Sequence, residues 1–156
     1  MSKRKPMSQP LVRFAFLVYA GIMLWLLFGR SRGFTEGIPY LAQVKERITL
    51  QPFFTITNYL RVVIYRTNES AFVHCFINLV GNVILFIPAG WLLPTIFKPF
   101  QGYFKFFLLC TLLILSVEIV QLLTLLGYFD IDDLILNLFG LSMGYIFYAL
   151  KAKRKK

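Results

Sequence analysis

The chain has one histidine, two cysteines and seven acidic residues against seventeen basic ones. A zinc site built on the lone His74 would need carboxylates drawn from separate apolar segments, with none of the His or Cys spacings that mark such sites. No metal is expected. Asp130, Asp132 and Asp133 lack the loop glycine and ligand alternation of an EF-hand. No Ser-His-Asp set, Gly-rich phosphate loop or Cys-His pair is present, and Ser116, two residues from Glu118, would face away from it on a helix. No cofactor is implied.

Apolar side chains dominate instead. Hydrophobic residues are 58% of the 156, with a mean hydropathy of +0.67, whereas soluble domains are about 45–50% apolar. The expected fold is all-α: a polytopic membrane protein of four transmembrane helices, as one membrane domain over 1–156. The hydropathy predicts spans at about 12–29, 72–97, 104–126 and 131–150, each near the ~20 residues that cross a bilayer. The first run follows Lys3, Arg4 and Lys5, but Gly29-Arg30-Ser31-Arg32 follows it in place of a cleavage site, so it reads as a retained anchor.

Basic residues orient such a bundle, because Lys and Arg near span ends stay on the cytoplasmic side. The N-terminal segment, Lys98 and Lys105, and the tail from Lys151 to Lys156 carry the bias, which predicts cytoplasmic termini. The net charge of +10 thus sits at span ends and tails, and no basic surface suited to nucleic acid is expected. Cys75 and Cys110 then fall near the outer face and in the inner half respectively, too far apart for a disulfide.

The outer loop, 30–71, carries Ile56, Tyr59, Leu60 and Val63 at helical spacing opposite Thr57, Asn58 and Arg61. This predicts a short amphipathic helix on the membrane surface, anchored by Phe53 and Phe54, with Arg61 and Arg66 near the outer headgroups. Pro88, Gly90 and Pro94 are expected to kink or loosen the second span.

On this orientation six of the seven acids lie outside, and Glu118 alone is within the bilayer. A charged side chain there costs at least ~2.5 kcal/mol, so it needs a partner or a function. Gln121 lies one turn along the same face, and a neutral Glu118 bonded to Gln121 would be a structural knot. Counting depth at 1.5 Å per residue puts Glu118 in the outer half. His74, Asn78 and Asn82 on the second span and Asp133, Asn137, Gly140 and Gly144 on the fourth form stripes that begin at the same depth. Asp130 reads as the N-cap of the fourth span, with Asp132 and Asp133 in its first turn. The candidate ligand-binding residues are Asn78, Asn82, Glu118, Gln121, Asp132, Asp133, Asn137 and Arg61. Interhelical hydrogen bonding is the plain alternative for the amides.

The order Asn78-x-x-Gly81-Asn82, Phe86-Ile87-Pro88-x-Gly90, Glu118-x-x-Gln121 and Asp130-Ile131-Asp132-Asp133-x-x-x-Asn137-x-x-Gly140 resembles the VanZ-like family, as does Pro52-Phe53-x-Thr55-Ile56. Thr49 stands where the family often has asparagine, and Tyr128-Phe129 where many members have a nearby arginine. The resemblance implies a multi-pass protein of the bacterial cytoplasmic membrane, related to proteins conferring low-level resistance to teicoplanin, a lipid-tailed glycopeptide. Three functions then compete. The first is binding of an amphiphile, either the antibiotic or a cell-wall lipid precursor, among membrane lipids. The second is a membrane enzyme acting on an envelope lipid, with Glu118 as general base and an outer aspartate as acid or cation ligand. The third is a structural or regulatory partner in a membrane complex, docked through Gly140 and Gly144.

Overall fold

Residues 9–29, 33–66 and 68–153 are described in the computed structural model of the chain. Four helices are long and apolar enough to cross a membrane: α1 (Gln9–Phe28), α4 (Glu69–Ile96), α5 (Tyr103–Leu123) and α6 (Ile131–Lys153). Two shorter helices, α2 (Tyr40–Glu46) and α3 (Phe54–Tyr65), lie in the long connection, and α3 covers the predicted amphipathic segment. The basic residues at 3–5, 30, 32 and 154–156 fall outside the described residues.

The tightest seam joins α4 to α6, and glycine makes it possible. A Cβ on Gly140 would run into the Val83 carbonyl, and one on Gly144 into the Ile87 carbonyl; Gly90 faces the Leu141 carbonyl in return. Small residues allow this backbone approach, which between membrane helices replaces the hydrophobic effect with close van der Waals packing. Phe106, Cys110 and Ile114 of α5 then pack against Leu134, Leu141 and Tyr145 of α6. The Phe106 and Tyr145 rings lie 4.7 Å apart, and the Tyr145 hydroxyl donates to the Gln101 carbonyl at 2.5 Å. Both cysteines are free and buried.

Pro88 and Pro94 do not interrupt α4, which is continuous through both. Proline removes an amide donor and frees carbonyls in the preceding turn. There the Tyr19 hydroxyl of α1 donates to the Leu85 carbonyl at 2.7 Å, and the Phe16 ring meets Phe97 at 5.5 Å. The expected kink or loosening does not break α4, and at this turn a neighbouring helix supplies the donor.

At the opposite end, the long connection and the α5–α6 turn join each other. β1 (Ile48–Thr49) runs parallel to β2 (Phe129–Asp130), pairing Ile48 with Phe129 and Thr49 with Asp130. Two-residue strands have no readable periodicity, and the sequence predicts neither. Their consequence is positional: the entry to α3 is held against the first turn of α6.

Candidate functional site

Helix ends leave unpaired amides and carbonyls, and at this end of the bundle those of α1, α3 and α5 are met by residues from distant parts of the chain. The first amides of α3 are one case. Its N-cap, Phe53, has φ 63° and offers no side-chain oxygen. The Asp132 carboxylate takes that role from across the bundle, accepting from Phe53 N at 2.6 Å and Ile56 N at 3.0 Å. Asp130 accepts from the Thr55 hydroxyl at 2.6 Å and, with its other oxygen, from Asp132 N at 2.9 Å, which makes it the expected cap of α6. Asp132 is 0% exposed. A carboxylate so buried is tolerable because the α3 amides and the positive end of that helix face it, a favourable geometry worth up to ~2 kcal/mol. Asp132, expected as a ligand contact, uses both its oxygens to cap α3.

Carbonyls at the ends of α1 and α5 are capped in the same manner. Gln121 Nε2 donates to the Leu27 carbonyl in the last turn of α1 at 2.7 Å. The Tyr40 hydroxyl donates to the Leu123 carbonyl at 2.8 Å. Arg47, buried and in the long connection, donates to the Leu125 carbonyl through Nη1 and to the Gly33 carbonyl through Nη2 at 2.9 Å, and its guanidinium lies 5.7 Å from the Tyr128 ring centre. Its own carbonyl accepts from Phe129 N at 2.8 Å, closing the link between the two loops. The predicted Glu118–Gln121 knot is therefore corrected: Gln121 is engaged with α1, a partner that no helical spacing reveals.

Glu118 is 5% exposed, and both carboxylate oxygens are buried without a hydrogen-bond partner. Asn137, 7% exposed on α6, leaves its Oδ1 in the same condition. Asp133 and Asp130, at the start of α6, are near enough to Glu118 to act on it electrostatically. Asn82 of α4 reaches the same turn, donating to Asp133 Oδ1 at 2.6 Å. The structure thus brings Asn82 to Asp133 and the first turn of α3 to Asp130 and Asp132, with Glu118 near Asp130 and Asp133, while Asn137 lies one turn further along α6.

Other predicted members lie elsewhere. Asn78 Nδ2 pairs with His74 Nε2 on its own helix at 3.1 Å, and the His74 ring meets Tyr59 of α3 at 6.3 Å. Arg61 is exposed on α3. Sequence reasoning did not single out Thr55 as a site residue, although it quoted the Pro-Phe-x-Thr segment; Arg47 carried no signal beyond its charge. An open cavity of about 220 Å³ bounded by Thr35, Ile38, Gln43, Glu46, Arg47 and Tyr128 lies in the long connection. Its main polar groups are already engaged, Gln43 with Thr35 and Ile38 and Arg47 as above. Glu118 and Asn137 are the more demanding pair.

Comparison with known proteins identifies the family. The sequence model of the VanZ/LLP1 family matches residues 16–152. Protein VanZ of Enterococcus faecium is 38% identical over 78 residues, which cover 50% of this chain and 48% of that protein. The chain thus matches about half the length of that relative. No solved structure matches. With four apolar helices in the described residues and a family match running from α1 to the end of α6, the chain belongs to the VanZ/LLP1 family.

Proposed function

We propose that the protein binds an amphiphile at the polar locus beneath α3 and thereby lowers susceptibility to lipid-tailed glycopeptides such as teicoplanin. The carrying observation is the pair of buried, unpartnered acceptors, Glu118 and Asn137. Each buried polar group left unsatisfied costs roughly 1–3 kcal/mol. A fold that caps the ends of α1, α3 and α5 across long sequence separations yet leaves these groups open favours use by a ligand over packing. Amphipathic α3 supplies a lateral boundary at which a lipid tail stays in the bilayer while its head enters the locus.

On this reading the loop end faces outward. Lys98, Lys105, Lys151 and Lys153 gather at the opposite end, as the positive-inside bias requires. The protein is then a multi-pass protein of the bacterial cytoplasmic membrane whose polar locus opens toward the side where the cell wall is built.

Expression in a susceptible Gram-positive host tests the proposal. Tolerance to teicoplanin should rise more than tolerance to vancomycin, because only the former carries a fatty tail that places it at the bilayer. Equal protection against both would remove the lipid-dependent mechanism, and no protection would remove the resistance function.

A further inference from the structure

The long connection leaves Phe34, Leu41 and Leu50 largely exposed, and what faces them depends on the height at which α2 lies. That height is set by α5. Its 21 residues make about 32 Å at 1.5 Å each, close to the ~30 Å of hydrocarbon in a bilayer, so its last residue, Leu123, lies at the hydrocarbon edge. The side chains of Ile119, Val120 and Leu123 are exposed up to that edge, which makes this flank of α5 a lipid-facing one. Both ends of α2 are tied there. The hydroxyl of Tyr40, its first residue, donates to the Leu123 carbonyl, and Arg47, just after its last, donates to the Leu125 carbonyl. A helix of seven residues, about 10 Å long, that is held in this way at each end stays at the end of the span and does not stand off in water. Tyrosine is enriched at this level of membrane proteins, where its ring meets apolar groups and its hydroxyl polar ones.

The faces of α2 divide accordingly. At about 100° per residue, Tyr40, Val44 and Leu41 share an arc of about 100°, Lys45 follows about 40° beyond Leu41, and Glu46 lies about 140° from Leu41. Gln43, about 200° from Leu41, is buried and bonded to Thr35 and Ile38, so it marks the side turned into the protein. Leu41 therefore points away from the loop on the flank that adjoins Tyr40. We propose that α2 is embedded in the phospholipid leaflet at this end of the bundle, with Leu41 and Val44 among the upper acyl chains and the Lys45 ammonium at the lipid phosphates. A lysine beside such a flank lays its apolar stem along it and keeps its charge among the headgroups. The occupant of this face is thus the bilayer itself, continuous with the lipid that covers Ile119, Val120 and Leu123. The inference stands apart from the amphiphile-binding reading, since neither Glu118 nor Asn137 enters it.

Nitroxide labels on single introduced cysteines, with the full chain in nanodiscs of phosphatidylcholine and phosphatidylglycerol, test this. The readout is the rate of collision with oxygen, which concentrates in hydrocarbon, against that with a water-soluble nickel chelate. Cys75 and Cys110 are buried, and the parent chain carried through the same labelling measures their background. Leu41→Cys should prefer oxygen, as Ile119→Cys on the exposed flank of α5 does; Glu36→Cys should prefer the chelate, and Lys45→Cys should fall between Leu41→Cys and Glu36→Cys. All four native side chains are exposed, so the substitutions leave the packing of the bundle untouched. A label at Leu41 whose oxygen preference is no greater than that at Lys45 or Glu36 puts α2 in water and overturns the proposal. Protection of the Leu41 label from both reagents also overturns it. Spin-spin broadening that disappears on dilution with unlabelled protein would then show a second copy covering the face, and its absence would show that another part of the chain does so.

Discussion

Asp132 Oδ2 accepts a 3.0 Å hydrogen bond from the backbone amide of Ile56, 76 residues earlier in the chain. The first turn of a transmembrane helix therefore serves as the cap of a helix in the long connection. Together with the Phe53 bond, this contact fixes where α3 begins and holds its first turn against the start of α6.

Asp132→Asn tests that link. An amide keeps the shape but removes the negative charge and one of the two acceptor oxygens, so one α3 amide loses its partner at a cost of roughly 1–3 kcal/mol. Hydrogen exchange should accelerate at Phe53 and Ile56 while the centres of α4 and α6 keep their protection. Unchanged exchange at both amides would mean that α3 is held by its apolar face alone.

The α4–α6 seam gives a paired test with an internal control. Gly140→Ala puts a methyl group into the Val83 carbonyl, whereas nothing lies within 4 Å of a Cβ at Gly81. Overpacking typically costs about 1–3 kcal/mol, while Gly→Ala in an open helical position gains up to ~1 kcal/mol. Thermal unfolding in nanodiscs should therefore fall for Gly140→Ala and hold or rise for Gly81→Ala. Equal shifts in the two variants would show that the seam is not closely packed.

Orientation is testable with cysteine labelling, since Cys75 and Cys110 are both buried and contribute little background. Glu36 and Lys153 are exposed at opposite ends. On intact cells, a membrane-impermeant maleimide should label Glu36→Cys, and it should label Lys153→Cys only after permeabilisation. The reverse pattern would place the polar locus toward the cytoplasm and remove its access to an extracellular ligand.

The division between what the sequence reveals and what it hides follows the kind of partner each residue has. Spans were legible because long apolar runs have few physical outcomes, and α3 was legible because Ile56, Tyr59, Leu60 and Val63 repeat at helical spacing. The gathering of Asn82, Asp133 and Glu118 followed from depth counting, since a rise of 1.5 Å per residue converts position into height in a membrane. Gln121, Asp132 and Arg47 were opaque because their partners are backbone groups, which every residue carries and no side-chain pattern marks. Hence the Glu118–Gln121 spacing suggested a pair where the structure instead uses Gln121 to cap α1.

That correction reverses the expected stability effect of Glu118→Leu. Were Gln121 its partner, leucine would orphan an amide and destabilise the protein; Gln121 is bonded to Leu27, so leucine removes two unsatisfied oxygens and orphans nothing. Stability should rise by roughly 1–3 kcal/mol, the usual relief when an uncompensated buried polar group is replaced by an apolar one. Ligand binding and tolerance to teicoplanin should be lost in the same variant, because the acceptors that the ligand would satisfy are gone. Glu118→Gln should stay folded and lose binding with a smaller gain in stability, since it keeps a polar group in the buried position. Function lost with stability gained is the pattern of a residue kept for its chemistry at the expense of the fold. Thermal unfolding without ligand, measured beside tolerance in cells, separates the cases. A less stable Glu118→Leu would mean that the carboxylate has a structural partner, and a fully active one would leave the open acceptors without a function.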